Sequence, residues 1–296
     1  MTTDALLELV RCEYEAGRFS DACEHIAEAL ARPAFRDGGG AARATLLLYQ
    51  GRIESLRGRA SDAASSYERS LKVWPVTAER VLLAEAWIDI GALLSRLGQL
   101  DRALEHMIRG LRLALDEDEP NAIVHALHHL ALFLVDADES VAATELAKAA
   151  AQIARSQGDF AAELRSIAVL VRASLESSRP ESLDAVLERG RELARDPTLP
   201  VEAAAFRLEE AWVVYSRGDL ATAMQLARGV VETARSLELR PLLADVLLLI
   251  ACIDGHPDNP RSNVVRALES LERLLDADEA RASPRVRFEV LRALEA

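Results

Sequence analysis

The chain has almost no lysine. Of its 35 basic residues, all but Lys72 and Lys148 are arginine. Acidic residues number 48, which leaves a formal net charge of −13. A chain this acidic is not expected to wrap nucleic acid or lie on an anionic membrane, because both need basic stripes. Aromatics make up only 4% of its 296 residues. Cysteine is as scarce. Cys12, Cys23 and Cys252 are too few for a disulfide framework and point to a reducing cytoplasm, with all three expected as buried structural thiols. Long apolar runs are missing too. The longest, from Val246 to Ile253, is far too short to cross a bilayer, and Met1-Thr2-Thr3-Asp4 opens no secretory leader. Alternating β-branched segments are nearly absent, which argues against a β-rich fold. The sequence carries no Walker loop, no dinucleotide turn and no nucleophile elbow, so neither an enzyme nor a cofactor is expected.

What remains is rich in alanine and leucine, both strong helix formers. Four short stretches nearly repeat each other: Gly17 to Ala22, Gly58 to Ala63, Gly98 to Ala103 and Gly218 to Ala223. Each has a glycine, then a small or acidic residue able to cap a helix, then an alanine five positions after the glycine. The first three glycines are 41 and 40 residues apart, and the fourth lies 120 beyond the third. A fixed step of this size marks stacked helical hairpins. It predicts a single all-α helical-repeat domain over 1–296. Its units fall at about 1–34, 41–75, 77–118, 120–157, 159–196, 200–238 and 240–278, with a last helix at 284–296. In the fourth unit Ala137 stands where the turn glycine is expected, and the fifth unit is the most degenerate.

Aligned on the turn glycines, the chain resembles the tetratricopeptide-repeat family. The third unit carries the pattern in Trp87, Ile90, Gly91, Leu94, Gly98, Ala103, Met107 and Gly110. The second supplies Leu47, Gly51, Gly58, Ala63, Tyr67 and the closing Pro75, and the first Leu6, Leu9, Gly17, Ala22, Ile26 and Ala29. Small residues at Gly51, Gly91, Ala22, Ala63 and Ala103 would let paired helices approach closely. The common repeat is about 34 residues, and this one is about 40. Units of that length resemble those of bacterial regulators. The resemblance implies a right-handed α-α superhelix, a solenoid of about seven hairpins with a C-terminal capping helix.

In that family the first helix of each hairpin lines a groove, at set distances before the turn residue. Ten before it stand Leu7, Leu48, Ile88, Leu127 and Leu208. Six before it stand Arg11, Arg52 and Trp212, and three before it Tyr14 and Tyr215. The resemblance thus implies an aliphatic floor, two arginines near the N-terminal end and an aromatic pair near the C-terminal end. Such a groove suits an amphipathic helix or an acidic peptide. Chaperone-binding members clamp a terminal carboxylate with Lys and Asn, which none of these positions supplies.

The expected function is therefore a non-catalytic scaffold or sensor that binds a protein or peptide. The alternative is a sensor or oligomerisation arm of a longer transcription regulator or diguanylate-cyclase-type signalling protein, with a homodimer as one form. His125 and His129 have the i,i+4 spacing of a zinc pair, with His106 or Asp136 as a conceivable third ligand. No Glu stands between them in the metalloprotease order, so they are expected to be structural, with no metal.

Overall fold

The computed structural model describes residues 2–33, 35, 40–74, 80–177 and 183–256. Among them are thirteen α-helices and no strand. They are α1 (Thr3–Glu15), α2 (Phe19–Ala31), α3 (Gly40–Leu56), α4 (Ala60–Val73), α5 (Arg80–Arg96), α6 (Leu100–Asp116) and α7 (Pro120–Asp136). Then follow α8 (Ser140–Gln157), α9 (Phe160–Glu176), α10 (Asp184–Leu193), α11 (Pro200–Ser216), α12 (Leu220–Ser236) and α13 (Arg240–Gly255). The expected second helix of hairpin seven and the helix at 284–296 lie outside the described residues. No described helix is long and apolar enough to cross a membrane.

From residue 80 onward the helices keep a beat. They begin at 80, 100, 120, 140 and 160, then at 200, 220 and 240. The residue two positions before a start is often left-handed: Gly98, Asp118, Asp138, Gly158, Gly218 and Glu238 all have positive φ. This conformation reverses the chain and lets amides beyond the helix bond back to its last carbonyls. At Gly98, Gly98 N donates to the Ser95 carbonyl at 2.8 Å and Gln99 N to the Leu94 carbonyl at 2.9 Å. The turn residue of the fourth hairpin is therefore Asp138, not Ala137. An Asp tolerates the left-handed region where alanine does not. Side-chain capping is sparser than the sequence suggests. Asp219 Oδ1 accepts from Thr222 N at 3.0 Å, whereas Arg18, Arg59 and Gln99 hold the equivalent place without a capping bond.

Contacts divide the chain into two compact units, residues 1–130 and 131–296, with the boundary inside α7. In the first unit α1 pairs with α2, α3 with α4 and α5 with α6, and the first helices α1, α3 and α5 also touch in succession. In the second unit α8 packs on α9 and α11 on α12, while the first helices α9, α11 and α13 touch in succession.

First and second helices differ in what they bury. The second helices carry one narrow buried stripe, rich in small residues. In α6 it is Ala103, Met107, Gly110 and Ala114, and in α8 it is Ala143, Ala147, Ala150 and Ala154. That spacing keeps one face inward. First helices are buried on several faces, as with Ala44 to Tyr49 in α3 and Ala162 to Leu164 and Ser166 to Val171 in α9. They are sandwiched between their own partner and their neighbours. The close approaches are real. A Cβ on Gly91 would sit 2.9 Å from the Ala103 carbonyl oxygen, and one on Gly110 would sit 2.7 Å from that of Ala84.

Candidate functional site

The residues expected to line a groove fall into three groups. Leu48 and Ile88 are 0% exposed and Leu208 is 2% exposed, so they are core. The floor reading is corrected at these three positions, because a side chain sealed between packed helices has no face left for a ligand. Leu7, Tyr14, Leu127, Trp212 and Tyr215 are half-buried. Tyr14 stacks edge-on against Tyr49 of α3, ring centroids 5.4 Å apart. Trp212 and Tyr215 meet edge to face at 5.8 Å, and Tyr215 meets His256 at 5.7 Å.

The two arginines part company. Arg11 is on the surface, 51% exposed, bonded at 2.6 Å to Glu8 three residues away on its own helix. A pair of that kind contributes little and exchanges freely with solvent or a ligand. Arg52 is held inside. Its Nε donates to Asp89 Oδ2 at 2.7 Å and its Nη2 to Glu85 Oε2 at 2.7 Å, so it ties α3 to α5. Its guanidinium also lies 5.5 Å from the centroid of the Tyr49 ring. Burial works against the Arg52 charge, but Asp89 and Glu85 outweigh it and raise its pKa well above the ordinary value. Arg52 is thus a structural tether and offers no spare charge.

Asp89 is the centre of this cluster. It is 5% exposed. Its second oxygen, Oδ1, accepts from His125 Nε2 of α7 at 2.7 Å. Burial alone would push its carboxyl up, yet Arg52 and His125 more than compensate and hold it well below the usual carboxylate range. His125 and His129 sit edge to face with centroids 4.6 Å apart, as their i,i+4 spacing requires. His106 is elsewhere, stacked on Trp87, its Nδ1 bonded to the Arg102 carbonyl at 2.7 Å.

The second unit has its own row of charge on first helices. Arg172 of α9 donates to Asp136 Oδ1 at 3.2 Å and lies 3.8 Å from Glu176. Glu209 of α11 and Asp245 of α13 add to the field that raises the Arg172 pKa against its burial. Asp136, Arg172, Glu209 and Asp245 recur at intervals of 36 or 37 residues, one on each first helix. A separate pair of arginines, Arg155 and Arg189, clamps the fully buried Glu163 of α9.

Sequence reading missed Asp89, Glu85, Glu209 and Asp245. A signal was present, since Asp89 stands between Ile88 and Ile90 and Asp245 between Ala244 and Val246. A lone acid in an apolar helical run must find a partner when the helix is buried. The thiols also differ from expectation. Cys12 is exposed and Cys23 and Cys252 are half-buried. Cys12 lies on α1 with its Sγ 3.8 Å from Glu8 Oε1.

No protein-family model matches the sequence, and no curated protein matches it significantly. Solved structures do. A Rap protein complexed with competence and sporulation factor is 11% identical, with a TM-score of 0.64 over 93% of this chain and 89% of that one. The Rap conjugation gene regulator of the plasmid pLS20, in complex with the Phr* peptide, is 15% identical, with a TM-score of 0.62 over 93% of this chain and 86% of its own. NprR in complex with its cognate peptide NprX is 12% identical, with a TM-score of 0.61 over 98% and 87%. At such identities the likeness carries the fold alone, an all-α arrangement of helical hairpins.

Proposed function

We propose that this chain is a non-catalytic regulatory scaffold of the long-repeat kind that binds a short peptide along its first helices. The carrying observation is the row of partly buried charge on those helices, set in otherwise apolar sequence. Core packing does not call for such residues, and they cost desolvation to hold there. The fold supports the reading, since the three similar structures are each complexed with a peptide or signalling factor.

The acids on these helices support one class of ligand. Around Arg172 stand four acids, Asp136, Glu176, Glu209 and Asp245. Carboxylates grouped in this way would favour a peptide bearing a Lys or Arg, the reverse of the acidic peptide suggested by Arg11 and Arg52 in the sequence. Trp212 lies one turn from Glu209 on α11, and its ring offers a cation a second attraction. Selection of a short random displayed-peptide library on the immobilised full chain tests this. Enriched clones should carry basic residues and bind several-fold more weakly to a Glu209→Gln, Asp245→Asn double variant. No enrichment over bare matrix, or enrichment of acidic clones, would refute it.

A further inference from the structure

We propose that Asp89, His125 and His129 form a binding site for a divalent transition metal of the zinc class. One ligand atom from each residue lies within 4.8 Å of the other two. The donor set is two imidazoles and one carboxylate, which is the usual set of a zinc site with one position left for an outside donor. The geometry is close to what an ion needs. Tetrahedral ligands about 2.1 Å from zinc stand about 3.4 Å apart. Asp89 Oδ1 and His125 Nε2 are 2.7 Å apart and would open slightly, while the His129 nitrogen, within 4.8 Å of both, would have to draw closer.

The surroundings suit a metal ligand. Arg52 Nε holds the other oxygen of Asp89, so Oδ1 is aimed at the two histidines. A ligating carboxylate fixed by a second hydrogen bond is a regular part of such sites. Arg52 does not make the cluster cationic, because Glu85 and Asp89 both oppose it. Arg52, Glu85 and Asp89 together carry one negative charge in excess, which a cation offsets. His125 is 20% exposed and Asp89 only 5%, so an ion enters from the histidine side and meets a carboxylate already in place.

The test uses the full chain without peptide, stripped with chelator and then dialysed against Zn2+. We expect one zinc per chain in the wild type and in His128→Ala, a neighbouring histidine that is not in the donor set. His125→Ala and His129→Ala should bind at least about tenfold more weakly. His129→Gln serves as a second variant, and helicity by circular dichroism is measured on each. Co2+ bound to the wild type should give the intense visible bands of a four-coordinate ion. Substoichiometric zinc, equal binding by the His129 variants, or only the weak spectrum of hexa-aquo Co2+ would overturn the site. Because no peptide is present, failure here is distinct from failure of the peptide reading.

Discussion

Glu163 shows what a single buried charge does for this protein. It is fully buried on α9, and it accepts from Arg155 at 2.7 Å and from Arg189 at 3.0 and 2.9 Å. Burial would raise its pKa, yet the hydrogen bonds from Arg189 and Arg155 outweigh it and hold the carboxyl below the ordinary value. A depressed folded pKa stabilises above the unfolded value, about 4.3, and that contribution is lost as pH falls below it. Glu163→Gln should therefore cost about 2 kcal/mol at neutral pH. The gap to the wild type should narrow as pH drops below about 4. Urea unfolding at several pH values reads this directly, and a gap independent of pH would contradict it. Two glycines give a paired test of packing. A Cβ on Gly110 of α6 would meet the Ala84 carbonyl and Ile88, whereas one on Gly229 of α12 meets nothing within 4 Å. Gly110→Ala should destabilise by about 1–3 kcal/mol through overpacking. Gly229→Ala should stabilise by about 0.5–1 kcal/mol by its helix propensity. The same unfolding curves check both signs.

At the scale of elements, the left-handed turn residue sets where each helix stops. Gly98 and Gly218 adopt it freely, but Glu238 does so at φ 55 with a side chain attached. The left-handed region costs a non-glycine residue about 1–2 kcal/mol. Part of that gain is lost to the greater freedom of glycine in the unfolded chain, so Glu238→Gly should raise stability by about 0.5–1 kcal/mol. A fall in thermal midpoint would show that the Glu238 side chain contributes more than its backbone costs. These turns were legible in sequence wherever glycine filled them. Asp118, Asp138 and Glu238 were hidden because nothing in a single acidic residue marks it as left-handed. Small residues at Ala22, Ala63 and Ala103 were legible for a related reason. Close helix approach demands a short side chain, and all three are 0% exposed.

At the scale of the molecule, the order of helices followed from periodicity, while the charged rows did not. Arg52 and Asp89 are 37 residues apart, and Asp89 and His125 are 36 apart. Pairing at that distance depends on how one first helix registers against the next, which no local pattern encodes. Of the groove residues that the resemblance implied, Leu48 and Ile88 are sealed in the core, because burial depends on that same register. In the proposed function, first helices, not second helices, meet a cationic peptide. Hydrogen exchange on the full chain, with and without a basic peptide from the library selection, tests it most directly. Exchange should slow in α9, α11 and α13, with α8 and α12 unchanged. Protection confined to α8 and α12, or none in the first helices, would contradict it.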